Sequence, residues 1–512
     1  MRRIGIDVGG TNTDAVLIEE GRVRAAVKAP TSPDVTGGIL EALRSLSATG
    51  AVGAAPIDAV MIGTTHFINA VVQRRWLSWV GAIRIGMPAS ASLPPFCDWP
   101  QDLAAVVAGA VEMVEGGHDY DGRLFMPLDR GAVRDAARRI RDKGLRSVAI
   151  SGIFSPLDPS HEREAARIVS EEMPGCAITC SADLGRIGLL ERENAGLLNA
   201  ALAELDGTTV AAFEQAIADS GLSAPLYITQ NDGTVAEASQ AIRLPVYSFA
   251  SGATNSMRGA AYLSGVADAV VADVGGTTTD VGQIRNGFPR EANAVVKVGG
   301  VRTLFRMPDL FSFGLGGGSH VSLDPVAVGP LSVGYRLTAD ALAFGGSQLT
   351  ASDVGIAAGL LDIGDRTKVA HLDGASCRAV LRHIAGMVEE SVDRVKTEAG
   401  DVKLLAVGGG AFLLPGKLEG ISEVVRVSHG DCANAVGAAI AQASGEVDQV
   451  FRDLSREAAL AEAQELAAER AVAAGAERGT LTVIETEDIP IAYLPGNARR
   501  IRVRCVGDIA AP

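Results

Sequence analysis

Aromatic residues make up only 4% of the chain, and just six cysteines are spread over its 512 residues. The set Cys97, Cys176, Cys180, Cys377, Cys432 and Cys505 has no framework spacing, which excludes a small disulfide-stapled fold. Cys176 and Cys180 resemble half of a metal site, but no second pair or nearby histidine completes it, so reduced thiols are expected. No run of about eighteen apolar residues occurs, and Met1-Arg2-Arg3-Ile4 leads directly into a strand pattern rather than a signal segment. A cytoplasmic protein without a membrane partner is the expectation. No Lys/Arg block offsets the formal charge of −15, which argues against nucleic acid as a partner. Two common nucleotide signatures are also missing: there is no Gly-x-x-x-x-Gly-Lys-Ser/Thr, and no Gly-x-Gly-x-x-Gly opens a helix. His161-Glu162 begins the zinc pattern His-Glu-x-x-His without finishing it.

What is present is 47% hydrophobic and 21% charged residues with 60 glycines, the make-up of a globular protein too long for one core. One eight-residue phrase occurs twice. Asp7-Val8-Gly9-Gly10-Thr11-Asn12-Thr13-Asp14 returns as Asp273-Val274-Gly275-Gly276-Thr277-Thr278-Thr279-Asp280. Each copy follows an apolar run and leads into a second run ending at a turn (Glu20-Gly21, Asn286-Gly287), which predicts a β-hairpin tipped by glycine and hydroxyls. Such a tip presents backbone N–H groups to phosphate. An aspartate at the end of the incoming strand then finds its useful partner in a hard cation, most simply Mg²⁺. Two tips facing one another would grip a nucleoside triphosphate such as ATP from both sides.

Between and beyond the copies, the pattern predicts a helix over 35–46, a buried strand over 57–62 and an irregular segment over 76–99. The strand ends at Gly63-Thr64-Thr65-His66, where the threonines either meet ligand or cap the next helix, and His66 reads as structural. A helix over 129–143, a strand over 147–151 and a helix led by Glu191-Arg192-Glu193-Asn194 follow. Strands over 227–229 and 245–250 are expected to deliver Asn231, Asp232 and Ser251 to a cleft, since open α/β sheets place ligands at strand ends. The stretch 313–320 is too rich in glycine for a core element and reads as a loop passing close to ligand or to the other half. The strand over 403–407 ends in Gly408-Gly409-Gly410, a flat surface suited to adenosine. Cys432 to Ala439 has small residues for helix packing and one amide, Asn434. A long Ala/Glu helix over 446–477 and a β-rich end complete the reading.

The order of these motifs resembles the actin, sugar kinase and Hsp70 superfamily of ATPases. Within it the chain is similar to the hydantoinase/oxoprolinase A family. The residues carrying the likeness are 4–14, Lys28-Ala29-Pro30-Thr31 with Pro33-Asp34, Gly63-Thr64-Thr65 with Asn69-Ala70, Glu191-Arg192, 273–280, Gly316-Gly317-Gly318-Ser319 and the pattern from Thr350 to Asp353. The resemblance implies an α/β fold of two RNase-H-like (actin/Hsp70-type) domains around a central nucleotide cleft, with a small C-terminal appendage. The divisions expected are 1–200, 201–445 and 446–512. It also implies ATP-driven opening of a cyclic amide such as a hydantoin or 5-oxoproline, often with a second subunit. Ser251-Gly252-Ala253-Thr254-Asn255-Ser256 stands where relatives tend to have Ser-Gly-Pro-Ala-Gly-Gly, and His66-Phe67-Ile68 replaces smaller residues. Much of the long C-terminal region of larger members has no counterpart in this chain.

The roles expected are these. Asp7 and Asp273 hold Mg²⁺ through water and are the catalytic pair, Gly9, Gly10, Thr11, Asn12 and Thr13 with Gly275, Gly276, Thr277 and Thr278 bind phosphates, and Gly408, Gly409 and Gly410 take the adenosine. Asp14 and Asp280 fix the hairpins. Thr65, Asn231, Asp232 and Ser251 are candidate substrate contacts. Partners expected are a cyclic amide, a second hydantoinase/oxoprolinase subunit or a second copy of the chain. A small-molecule kinase and a non-catalytic ATP-gated partner protein remain as alternatives.

Overall fold

The strand Arg2–Val8 is buried almost throughout because it lies inside a sheet rather than at its edge. The computed structural model describes residues 1–9, 12–30, 35–185, 187–292, 296–304, 306–492 and 496–510. In it, Arg2–Val8 pairs antiparallel with Asn12–Glu19 on one side and parallel with Ala59–Thr64 on the other. Asp7 stands opposite Asp14 and Val8 opposite Thr13. The second copy repeats this register: in the pair Ala269–Val274 and Thr279–Arg285, Asp273 faces Asp280 and Val274 faces Thr279, with Val402–Val407 parallel on the far side. The duplication therefore includes the neighbouring strand as well as the repeated phrase.

The first hairpin belongs to a nine-stranded sheet and the second to a six-stranded one. A four-stranded parallel sheet is inserted after the first hairpin: Ala108–Glu115, Val80–Met87, Ser147–Gly152 and Ala177–Cys180. Its core includes residues of the helices Arg130–Asp142 and Ser160–Glu172. The long helix Leu189–Asp219 then returns the chain to the first sheet, packing on Val35–Ala48. Among the described residues no helix is long and apolar enough to cross a membrane.

Three expectations change. The segment 76–99 contains Val80–Met87, which lies inside the inserted sheet; its apolar pattern is interrupted by Arg84, fully buried and bound through its guanidinium to Glu193. The predicted strand over 245–250 is a 3₁₀ turn, Pro245–Ser248, leading into the helix Ser251–Ser264. Pro245 fixes φ and has no N–H for a strand ladder, and Val246 and Phe249 are spaced as on a helix. The third change concerns the divisions at 200 and 445, which do not follow the sheets. Leu226–Thr229, Thr234–Glu237, Gln442–Phe451, Arg499–Gly507 and Thr482–Pro490 all extend the nine-stranded sheet, so the C-terminal segment completes the first domain. Its helix is shorter than 446–477: it spans Arg456–Ala473, capped by Ser455 Oγ accepting from Ala458 N, and lays Ala459, Ala463, Ala467 and Ala471 inward.

Two helices fill the space between the hairpin-bearing sheets. Ala433–Ala439 lies on the strand Arg2–Val8, and Ser251–Ser264 crosses it on the side toward the second sheet, where Met257 reaches Gly282. The crossing is closer than side chains permit. A methyl group built on Gly259 would lie 1.8 Å from Ala433 O, and one on Gly437 would lie 1.8 Å from Asn255 O. Gly259→Ala is therefore expected to destabilise the protein by about 1–3 kcal/mol or more in urea unfolding. Gly386→Ala, in a helix with nothing within 4 Å of the added methyl, is expected to be neutral or stabilising by up to about 1 kcal/mol.

Candidate active site

At each hairpin tip the glycine after the strand donates across the turn: Gly9 N to Asn12 O at 3.1 Å, and Gly275 N to Thr278 O at 2.9 Å. The two turns are thus built alike. Gly10 and Thr11 lie outside the described residues. Asn12 begins the outgoing strand, and Thr13 faces Val8 with its side chain buried, set apart from the turn itself. The second tip is braced from behind: Gly275 O and Gly276 O accept from Gly317 N (3.0 Å) and Gly318 N (2.8 Å). A methyl on Gly316 would lie 2.5 Å from Thr277 N. The glycine-rich loop thus passes against the other hairpin's backbone and engages its carbonyls. Gly276 and Thr277 are half-buried and Thr278 is exposed.

Gly408, Gly409 and Gly410 lie beside this tip. Gly408 has φ +85°, and a side chain there would strike Asp273 Oδ1 and Val274 O; Gly410 N donates to Val274 O at 2.7 Å. Gly409 is exposed, with no atom within 4 Å of an added methyl.

The helix Ser251–Ser264 brings the two hairpins to one place. Asp7 Oδ1 lies 3.6 Å from the methyl position of Gly252, and Asp273 Oδ2 accepts from Ser256 Oγ at 2.5 Å. Gly252 and Ser256 are one turn apart, about 6 Å along the axis. Asp7 Oδ2 accepts from Asn434 Nδ2 at 2.8 Å, whereas Asp7 Oδ1 is buried with no partner. Burial, then the Asp14 and Asp273 charges, push the Asp7 carboxyl up to about 7 against the Asn434 hydrogen bond. Burial likewise raises Asp273 to about 6, opposed by Ser256 and reinforced by Asp280 and Asp14. Behind them Lys28 Nζ contacts Asp14 Oδ1 at 2.5 Å and Asp431 O at 3.2 Å, and Ser312 Oγ bonds Asp280.

Of the candidate substrate contacts, Ser251 and Thr65 are here. Ser251 Oγ donates to Thr64 O at 3.3 Å and is fully buried; Thr65 is half-buried, and its methyl is 3.4 Å from the methyl position of Gly252. The other two are committed elsewhere. Asn231 uses its whole amide on Val246 O, Arg306 O and Ala250 N, and Asp232 is tied to Thr234, Arg504 and Arg306. Asn434 and Ser256 were not singled out for this role from the sequence. The lone amide among small residues marked the first, and the altered Ser-Gly-Ala-Thr-Asn-Ser run contained the second.

The arrangement offers two carboxylates, each with one oxygen hydrogen-bonded, whose surroundings hold both above the ordinary carboxylate range. A cation relieves that strain, and the unpartnered Asp7 Oδ1 fits one. Among the described residues no three His, Cys, Asp or Glu side chains gather to hold an ion, so protein ligation there is limited to the aspartates.

Models of the hydantoinase/oxoprolinase N-terminal region and of hydantoinase/oxoprolinase match residues 3–173 and 192–399. The chain belongs to the hydantoinase/oxoprolinase family. It is 26% identical over 467 residues to caprolactamase subunit alpha of Pseudomonas jessenii, covering 80% of this chain and 65% of that one. It is 26% identical over 393 residues to the acetophenone carboxylase gamma subunit of Aromatoleum aromaticum, covering 70% and 53%. The chain thus spans between about half and two thirds of the length of these curated relatives. Over its whole length it superposes on the crystal structure of ATP-dependent caprolactamase from Pseudomonas jessenii (TM-score 0.76, 20% identity, 88% of that chain). It also superposes on nucleotide-free acetone carboxylase (TM-score 0.72, 18% identity, 89% of that chain). The fold is accordingly the expected α/β pair of RNase-H-like domains about a central cleft. Within the family matches lie Asp7, Ser256 and Asp273; Gly408 to Gly410 and Asn434 lie beyond residue 399.

The raised carboxyls give a pH signature. A folded-state value above the unfolded one contributes stability below the ordinary carboxylate range, and that stability is lost as pH rises through about 6 to 7. In chelator-treated protein, Asp7→Asn is expected to gain stability over wild type between pH 5 and pH 8, by on the order of 1–3 kcal/mol. Thermal melts across that range check this; a pH-independent difference contradicts it.

Proposed function

We propose that the chain is the ATP-using component of an enzyme that opens cyclic amides, hydantoins or 5-oxoproline-like lactams, by phosphorylating the ring carbonyl oxygen. The observation supporting this reading is that Asp7 and Asp273, each near the end of the strand that enters its hairpin, meet one helix at positions a turn apart, Gly252 and Ser256. The relatives are named as ATP-dependent or as subunits of lactam- and ketone-acting enzymes, which supports the same direction.

In this reading Gly9 and Gly275, whose own N–H groups close the turns, shape the phosphate loops, and the N–H groups of Gly10 and Gly276 bind the phosphates of ATP, with hydroxyls of Thr11, Thr277 and Thr278 beside them. The open face at Gly409, between Gly408 and Gly410, takes the adenosine. Asn434 and Ser256 each occupy one oxygen of their aspartate, leaving the buried Asp7 Oδ1 without a protein partner. Asp7 and Asp273 would hold Mg²⁺, which when bound neutralises phosphate charge. A ring amide is a poor electrophile, and phosphorylation converts its oxygen into a leaving group. ADP departs, water adds to the ring carbon and the C–N bond opens to leave an acyl phosphate, which a second water cleaves to the carboxylate and phosphate. Thr65, at the strand end beside Asp7, is placed to contact the ring, and Ser251 fixes the helix that aligns both aspartates. The chain's task is in-line positioning and exclusion of water.

A second reading comes from the carboxylase relatives: the same phosphoryl activation applied to a ketone for carboxylation. The subunit names of the relatives also suggest that a second subunit completes the enzyme. The six unpaired cysteines agree with a reducing, cytoplasmic setting.

Phosphate release is to be measured with hydantoin, 5-oxoproline, caprolactam, and acetophenone plus bicarbonate, each with and without neighbouring gene products. Release dependent on a lactam supports the first reading, and on ketone plus bicarbonate the second; a stable phosphorylated product would make the chain a kinase. Asp7→Asn and Asp273→Asn are each expected to lower turnover by at least about 100-fold with the fold intact. Ser256→Ala is expected to lower it by about 10-fold, at the scale of one hydrogen bond to a charged group.

A further inference from the structure

A second cavity, of about 860 Å³, lies apart from the cleft. It is walled by loops of the inserted sheet, by the segment around Asn231 and Tyr247, and by the strand Gln442–Phe451; neither Asp7, Asp273 nor any hairpin glycine lines it. Its volume suits a small organic ligand.

The charges of its wall are unevenly satisfied. Six carboxylates face it: five pair with arginines (Asp121 with Arg123, Asp183 with Arg163, Asp232 with Arg504, Glu446 with Arg306, and Asp448 with Arg500), and Asp158 lies 3.3 Å from Nε2 of His118. Two further guanidiniums stand outside these pairs. Arg452 donates to the main-chain oxygen of Asp121 and Arg470 to that of Glu446, and neither makes an ion pair among the described residues. A guanidinium satisfied only by a carbonyl keeps donors free in a fork that matches a carboxylate. Leu157, Leu184, Leu244, Leu304 and Val450 give the same cavity an apolar wall.

We infer that this cavity binds an organic carboxylate with an apolar body, its head on Arg452 and Arg470 and its body on the leucine wall. The acids of the wall exclude two other occupants: a cation finds five of the six paired with arginines, and a polyphosphate meets six acids at close quarters. Asn231 separates this cavity from the cleft, since its Oδ1 accepts from Ala250 N at 2.7 Å at the start of the helix that carries Ser256. An occupant would therefore lie one residue away from the support of the aspartate pair.

The test is calorimetric titration of the intact chain, without nucleotide or divalent metal, using hexanoate, adipate and hexylamine. Saturable one-to-one binding of hexanoate or adipate, and not of hexylamine, is expected. The double change Arg452→Gln with Arg470→Gln should weaken it by at least about 10-fold. Leu157→Asp should weaken it through the other wall, so a folding defect in one variant leaves the other to decide. Asp7→Asn should leave it unchanged, which separates this site from the ATP reading: loss of turnover with retained carboxylate binding leaves this inference standing. No saturable heat with either acid, equal binding of hexylamine, or wild-type affinity in both the double arginine variant and Leu157→Asp would overturn it.

Discussion

The whole arrangement depends on two helix backbones passing at a distance that only glycine permits. Where Gly259 meets Ala433 O and Gly437 meets Asn255 O, the helices Ser251–Ser264 and Ala433–Ala439 act as one slab between the two sheets. Because the slab is thin, side chains from both of its members reach the hairpin bases. Asn434 reaches Asp7 and Ser256 reaches Asp273. Larger residues at the crossing would move the two aspartates apart together with the sheets that carry them.

That closeness sets the electrostatics of the cleft. Asp7, buried, and Asp273, partly buried, within influence of Asp14 and with the Asp273 charge acting on Asp7, keep their protons above the pH at which free aspartate ionises. The nearby Lys28 is committed to Asp14 and only partly compensates. Asn434 and Ser256 each hold one oxygen still, so the geometry of the pair is fixed before any ligand arrives. The lysine and the two small polar residues thus provide orientation, while most of the compensating charge is left to an occupant of the cleft.

The sequence showed the hairpins clearly because a repeated Asp-Val-Gly-Gly-Thr phrase is constrained at nearly every position by turn geometry, and its register in both sheets matches that constraint. The glycine-rich run at 316–318 was legible as a close approach, though not which surface it approached. Elements set by long-range pairing were less visible. Arg84 hid a buried strand because its ion pair with Glu193 lies over a hundred residues away. Asn231 and Asp232 looked like strand-end ligand contacts because spacing does not reveal that Arg306, Arg504 and Ala250 take up their hydrogen-bonding groups. The Ala/Glu run was read as continuous helix because alanine at four-residue spacing dominates it, and the strand before it is held beyond Ala443 by Arg499–Gly507, about fifty residues further on.

The first sheet takes one end from the start of the chain and the four strands of its other end from beyond residue 230. During synthesis the opening hairpin leaves the ribosome hundreds of residues before Gln442–Phe451 and Arg499–Gly507 exist to complete the far end of its sheet. The second sheet draws only on 269–426, so it has all its strands while the first is still incomplete. The second sheet can therefore be complete before the domain whose sequence comes first, and the last strands to be made finish the sheet at the end opposite the one laid down first.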